Sequence, residues 1–172
     1  MARSPVESTF EVIAMPDEGA THDPLIRVCS LLNKHQAHYL VAGGYACILH
    51  GLVRTTEDVD ILVEETDENF QRVIDALSEL EDHACAELTV ADLRENIVVK
   101  VADEVEVLIS RRAWTVSYAD AAGDAEQVEI DGVCVPFLSL RQLITSKETY
   151  RDQDGADLAR LRGIEADRDA KD

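Results

Sequence analysis

Asp58 and Asp60 lie two residues apart in the run DVDILVE, residues 58–64. Side chains alternate along a strand, so both carboxylates and Glu64 would face one way while Val59, Ile61 and Val63 face the other. Carboxylates at that spacing sit about 7 Å apart and can converge on one or two divalent ions. The spacing alone decides little, because 35 acids in 172 residues give about seven acid-x-acid pairs by chance. Glu79/Glu81 and Asp152/Asp154 read as such chance pairs on a solvated face. What separates Asp58/Asp60 from them is Gly43-Gly44, with 13 residues between Gly44 and Asp58. Two glycines without side chains let backbone N–H groups approach phosphate oxygens, and a following helix N-terminus adds a favourable dipole. Phosphate cradle and metal-binding carboxylates on adjacent strand ends are what two-metal nucleotidyl transfer requires.

The elements that must position these residues follow from periodicity. A strand over 38–42 feeds the glycines, a helix over 45–50 follows, and Gly51 ends it. A second strand covers 58–64. Upstream, Asp23-Pro24 opens a helix to about 35, with Leu25, Val28, Leu31 and Leu32 on one stripe. Downstream, Asp67 caps a helix over 68–80 carrying Phe70, Val73, Ile74 and Leu77. Thr89 and Asp92 form a capping box, and strands follow over 97–101 and 104–109. Asp131-Gly132 joins strands 128–130 and 133–137 in a hairpin. Two helices, over 138–150 and 155–162, complete the pattern. The expected organisation is a loose N-terminal arm over residues 1–21, one domain over 22–163 and a charged tail over 164–172.

Composition bounds the partners. The net charge is −19, from 16 basic and 35 acidic residues, and 46% of the chain is hydrophobic. Such a surface repels nucleic-acid phosphate and anionic membrane, while the apolar content supports a real core. The bases are 12 Arg and only 4 Lys. That balance reads either as halophilic adaptation or as an ordinary acidic, alanine-rich protein. Cys29, Cys47, Cys85 and Cys134 are far apart, in apolar settings, and read as buried free thiols. With no long apolar run, a cytoplasmic protein is expected.

Gly43-Gly44, Ala46, His50-Gly51, Arg54-Thr55, Asp58 and Asp60 resemble the nucleotidyltransferase superfamily that shares the polymerase-beta core, and particularly its small AbiEii-type, toxin-related proteins. Pro136, Phe137, Leu143, Ile144, Lys147, Arg151, Asp154, Asp157, Leu158 and Leu161 resemble their C-terminal segment. The likeness covers roughly residues 35–163. It implies an α/β (α+β) fold: a mixed sheet flanked by helices, with a short C-terminal helical pair. It also implies a third metal-binding acid on a later strand, at Glu106 with Glu104 as fallback, where the family usually has Asp. The family commonly has Ser or Thr where Tyr45 stands.

The implied activity is Mg²⁺-dependent transfer of a nucleoside monophosphate from a nucleoside triphosphate to a hydroxyl acceptor. Asp58, Asp60 and Glu106 are the expected catalytic and metal-binding residues. Gly43, Gly44, Arg54, Thr55 and Lys147 are expected on the nucleotide, with a two-metal site. The protein would be the toxin half of a toxin–antitoxin or phage-defence pair, with a cognate antitoxin or protein acceptor. An RNA acceptor is disfavoured by charge unless Arg111-Arg112 or Arg141 forms a local basic patch. The alternative is a catalytically silent member of the fold that binds a partner or nucleotide. Single residues also have plainer readings: Arg54 as a salt bridge beside the acid pair, His50 as a structural hydrogen-bonder, and Asp154 and Asp157 as a structural pair binding Arg151. Trp114 shows nothing nearby to suggest a stacking platform.

Overall fold

Asp23 starts helix α1 (Pro24–Lys34), its carboxylate accepting the Ile26 N–H at 3.0 Å with proline in the first turn. The buried positions Leu25, Val28, Leu31 and Leu32 are those the stripe predicts, joined by Ile26 and Cys29. The computed structural model describes residues 23–172, so the arm expected over 1–21 lies outside the described residues. Strand β1 (Tyr39–Ala42) runs straight into helix α2 (Gly43–Leu49), and β2 (Val59–Val63) returns antiparallel to β1.

Helix α3 (Asp67–Leu77) buries Phe70, Val73, Ile74 and Leu77 as expected. Its cap is Thr66 rather than Asp67: the Thr66 hydroxyl accepts the Asn69 N–H at 3.1 Å. Asp67 sits in the first turn, where the helix dipole favours a carboxylate, and pairs with Arg94 at 2.7 Å. Asn69, unremarked in the sequence, is buried and ties β1 to β2. It accepts from the His38 N–H at 2.7 Å and donates to the carbonyls of His38 and Glu64.

The Thr89–Asp92 capping box opens α4 (Val90–Glu95), leading to strands β3 (Val98–Ala102) and β4 (Glu106–Ser110). A second capping box, Ser117 with Asp120, opens the short α5 (Tyr118–Ala121), an element the periodicity did not reveal. Strands β5 (Glu126–Ile130) and β6 (Val133–Phe137) meet at the expected hairpin, with Asp131 and Gly132 both at positive φ, 51° and 80°. Ser139 caps α6 (Leu140–Ser146), and α7 runs over Asp152–Lys171. The tail expected over 164–172 is therefore mostly helical, because Glu, Ala, Arg and Lys all favour helix and nothing breaks the run.

The six strands form one mixed sheet in the order β3-β4-β2-β1-β6-β5. β1 and β6 are parallel, as are β2 and β4, and the other neighbours are antiparallel. Helix α1 lies on β6, β2 and α3, while α6 holds α7. The core includes Val41, Val59, Ile61, Phe70, Val107 and Phe137, each almost fully excluded from solvent. Central β1 and β2 are therefore buried along nearly their whole length, and their ends are rigid supports for side chains. Cys29, Cys47 and Cys85 are buried thiols as expected, but Cys134 is exposed. It lies on β6 opposite Glu129 of the edge strand β5, where alternation turns it outward.

Candidate active site

Ala42 pairs with Asp60 across β1 and β2, which puts the end of β1 and the acid pair side by side. The chain leaves β1 through Gly43 at φ +61°. A Cβ there would lie 1.8 Å from Asp60 Oδ2, so the Asp60 carboxylate packs against the glycine backbone itself. Both the left-handed conformation and the close approach demand glycine. Gly43→Ala is therefore expected to displace Asp60 and destabilise the protein by about 2 kcal/mol or more. Thermal unfolding together with single-turnover transfer would check this; an unchanged midpoint and rate would contradict the packing. Gly44 is equally enclosed, since a Cβ would meet Thr56 Oγ1 at 2.5 Å and Arg54 Cζ at 3.4 Å. No side chain caps the N-terminus of α2.

Asp58 immediately precedes β2, and its Oδ1 is buried without a hydrogen-bond partner among the described residues. An orphaned carboxylate oxygen is costly in a folded protein, and a bound cation is one way to satisfy it. Asp60 has its pKa raised from 3.8 to about 6, first by burial; Lys147 pulls it down and Asp58 pushes it up. A half-buried carboxylate beside a second one with an unsatisfied oxygen is a donor set that fits a hard divalent ion.

Lys147 ends α6 and is nearly buried, with Nζ 3.1 Å from both Asp154 Oδ1 and Asp157 Oδ2. Burial opposes its charge, but Cys47, Asp154 and Asp157 together hold its pKa above the ordinary lysine value. Arg54 also bonds Asp157, so one carboxylate on α7 orients both cations. The expected pairing with Arg151 holds for Asp154, as a looser ion pair, and not for Asp157. Arg151 Nε is 3.9 Å from Asp154, whereas the close partners are Lys147, Thr149 and Arg54. These contacts come from an element that sequence spacing alone cannot place against the glycine loop.

The other expected site residues divide. Glu106 begins β4, and the parallel register of Asp60 with Leu108 puts it on the same sheet face as the acid pair. Its side chain is 42% exposed and lies 3.5 Å from Lys100. Glu104 is committed elsewhere, to Arg27 at 3.2 Å and the Glu81 N–H at 3.0 Å, which removes the fallback. Among the described residues, no three His, Cys, Asp or Glu side chains converge on one point. Thr55 is exposed and lends only its carbonyl to Arg54, whereas Thr56 packs on Gly44. His50 is structural as read, its buried Nε2 2.7 Å from the Leu138 carbonyl.

The cleft beside Gly43 and Asp60 has a volume of about 220 Å³. Its walls include Lys147, Arg151 and Ser110, and also Trp114 and Tyr150. The latter two rings meet edge to face, centroids 5.9 Å apart, correcting the view of Trp114 as isolated. They are 36 residues apart in sequence, so only the fold could pair them.

Sheet order, glycine turn and facing carboxylates together place this chain among the nucleotidyltransferases. It belongs, more narrowly, to the aminoglycoside-2''-adenylyltransferase family, whose sequence profile matches residues 24–161. Among solved structures it is similar to a Thermotoga maritima protein (TM1012) assigned provisionally as a nucleotidyltransferase. The identity is 18%, covering 83% of this chain and 87% of that one, with a TM-score of 0.46. No curated protein matches the chain. Among the described residues, no helix is long and apolar enough to cross a membrane.

Proposed function

We propose that this nucleotidyltransferase moves a nucleoside monophosphate from a nucleoside triphosphate to a hydroxyl of a small, cationic acceptor of the amino-sugar type. The observation that carries this is the half-buried Asp58/Asp60 pair, with Asp60 packed on Gly43 and one buried Asp58 oxygen unsatisfied. Asp58 and Asp60 would hold Mg²⁺, with Glu106 on the same face as the candidate for a second ion. A divalent ion there supplies Lewis-acid charge neutralisation at the phosphates. The backbone at Gly43 and Gly44 receives phosphate oxygens, while Lys147 and Arg54, oriented by Asp157, offset their charge. Glu106 takes the proton of the acceptor hydroxyl as its oxygen attacks the α-phosphorus and pyrophosphate leaves.

Charge supports a cationic acceptor. A net charge of −19 draws in a polyamine sugar and repels RNA. The basic patch that could have rescued RNA binding is reduced: Arg111 and Arg112 share the one carboxylate of Glu65, and Asp124 binds Arg141. The family's name describes adenylyl transfer to an aminoglycoside, which agrees with this acceptor class. A toxin role, with a cognate antitoxin or a protein acceptor, rests on the AbiEii-type resemblance alone.

Incubation with Mg²⁺ and α-labelled ATP, offered an aminoglycoside panel, bulk tRNA and lysate protein in parallel, tests the reading. Label is expected on an amino sugar. Label on tRNA or protein instead would move the acceptor class, and no labelled product anywhere would favour the silent alternative.

A further inference from the structure

Trp114 stands in an unusual place for a tryptophan. Ala113 and Val116 exchange both backbone hydrogen bonds, at 2.8 and 3.0 Å, closing a two-residue turn. Trp114 occupies its first position at φ +58°. That site normally takes Gly, Asn or Asp, since a bulky side chain is strained there. Nor is the ring placed there to fill a core, for Trp114 is 48% exposed and its partner Tyr150 is 87% exposed. A strained backbone that presents a large, half-exposed aromatic ring into a cleft holding Asp60 and Lys147 is better explained by a ligand than by packing.

We propose that Trp114 and Tyr150 form the stacking platform for the nucleobase of the nucleoside triphosphate. This rests on the triphosphate reading of the cleft given above. The two ring planes cross at 74°, making a corner with the face of one ring and the edge of the other. A flat, electron-poor heterocycle fits such a corner, with stacking against one wall. Ser110 and Ala113, which line the same cleft, are small and leave room for a planar group. Arg151 borders the same cleft and adds positive charge towards the phosphates. A polycationic acceptor would want unpaired acids here. The two that line the cleft are Asp60, already placed in the catalytic pair, and Asp154, bonded to Lys147 and Thr149.

Trp114 is the only tryptophan in the chain, so its emission reports the platform directly. Binding is read by fluorescence and by calorimetry, with Mg²⁺, for ATP, inorganic triphosphate and an aminoglycoside. ATP is expected to quench Trp114 saturably, whereas inorganic triphosphate binds without that quench. Trp114→Gly, which suits the positive φ and so keeps the turn, is expected to weaken ATP about tenfold while leaving inorganic triphosphate unchanged. Trp114→Phe should restore affinity to within about threefold, because it retains a stacking face. ATP binding with equal affinity to wild type and Trp114→Gly would overturn the platform and leave the transferase reading standing. Quenching by the aminoglycoside alone, with none by ATP, would likewise overturn it. Failure of wild type to bind ATP at all would remove both readings.

Discussion

Asp60→Asn is expected to lower nucleotidyl transfer by about 10³-fold or more and to make the protein more stable at neutral pH. The rate loss follows from removing one of two carboxylates that would hold the metal, whose charge stabilisation amounts to several kcal/mol. The stability gain follows from the proton balance. Asp60 titrates near 6 in the folded chain against 3.8 for an ordinary aspartate, because it is buried beside Asp58. Between these values the folded state holds the proton that the unfolded state has released. Stability therefore falls as pH rises through this window, and the full penalty is present above about pH 6. Asparagine carries no such charge, so it should gain on the order of 1–3 kcal/mol at pH 7.5 and nothing at pH 3.5. Calorimetric midpoints of the metal-free proteins at both pH values, paired with single-turnover rates, would check this. An Asp60→Asn protein that is as fast as wild type, or less stable at pH 7.5, would remove Asp60 from the site.

The second large effect belongs to Asp157. Its side chain is 2% exposed and accepts from both Arg54 and Lys147. Removing one member of a buried ion network leaves its partners charged and unsatisfied, which costs about 3–5 kcal/mol. Lys147 would keep Asp154, but Arg54, only 18% exposed, would lose its single carboxylate. For a chain of this size Asp157→Ala should lower the thermal midpoint by roughly 10 °C. Asp167→Ala, at an exposed position on the same helix, should change it by less than about 2 °C. Transfer by Asp157→Ala at a temperature where it stays folded should also fall, because Arg54 loses its anchor and Lys147 one of its two, and both are the cations proposed for the phosphates. A midpoint within about 2 °C of wild type would show that α7 is not held to the glycine loop through this carboxylate.

Much of the candidate site was legible before the fold. Gly43-Gly44 and Asp58/Asp60 stand in one short stretch, and a strand, a glycine turn and a returning strand bring them together by local geometry. The same locality made the Asp23-Pro24 helix start, the Thr89 capping box and the Asp131-Gly132 hairpin readable. Thr66 was missed as a cap because Asp67, one residue on, satisfies the same preference; the chain chose Thr66 and used Asp67 for the dipole and Arg94. The extent of α7 was under-read because a charged segment without an apolar stripe carries little periodic signal.

The sequence by itself determined where the chain turns without side chains and which carboxylates stand beside that turn, because glycine conformation and strand alternation act within a few residues. It also determined the sign of the surface field, since net charge is a sum that needs no coordinates. Only the tertiary structure decided what the distant residues do. Asp157 is 103 residues from Arg54, Tyr150 is 36 from Trp114, and the arginines that might have met RNA are paired with Glu65 and Asp124. Ion pairs and ring contacts depend on ångström-scale proximity, and proximity between distant segments is set by how helices and sheet pack, which no local spacing records.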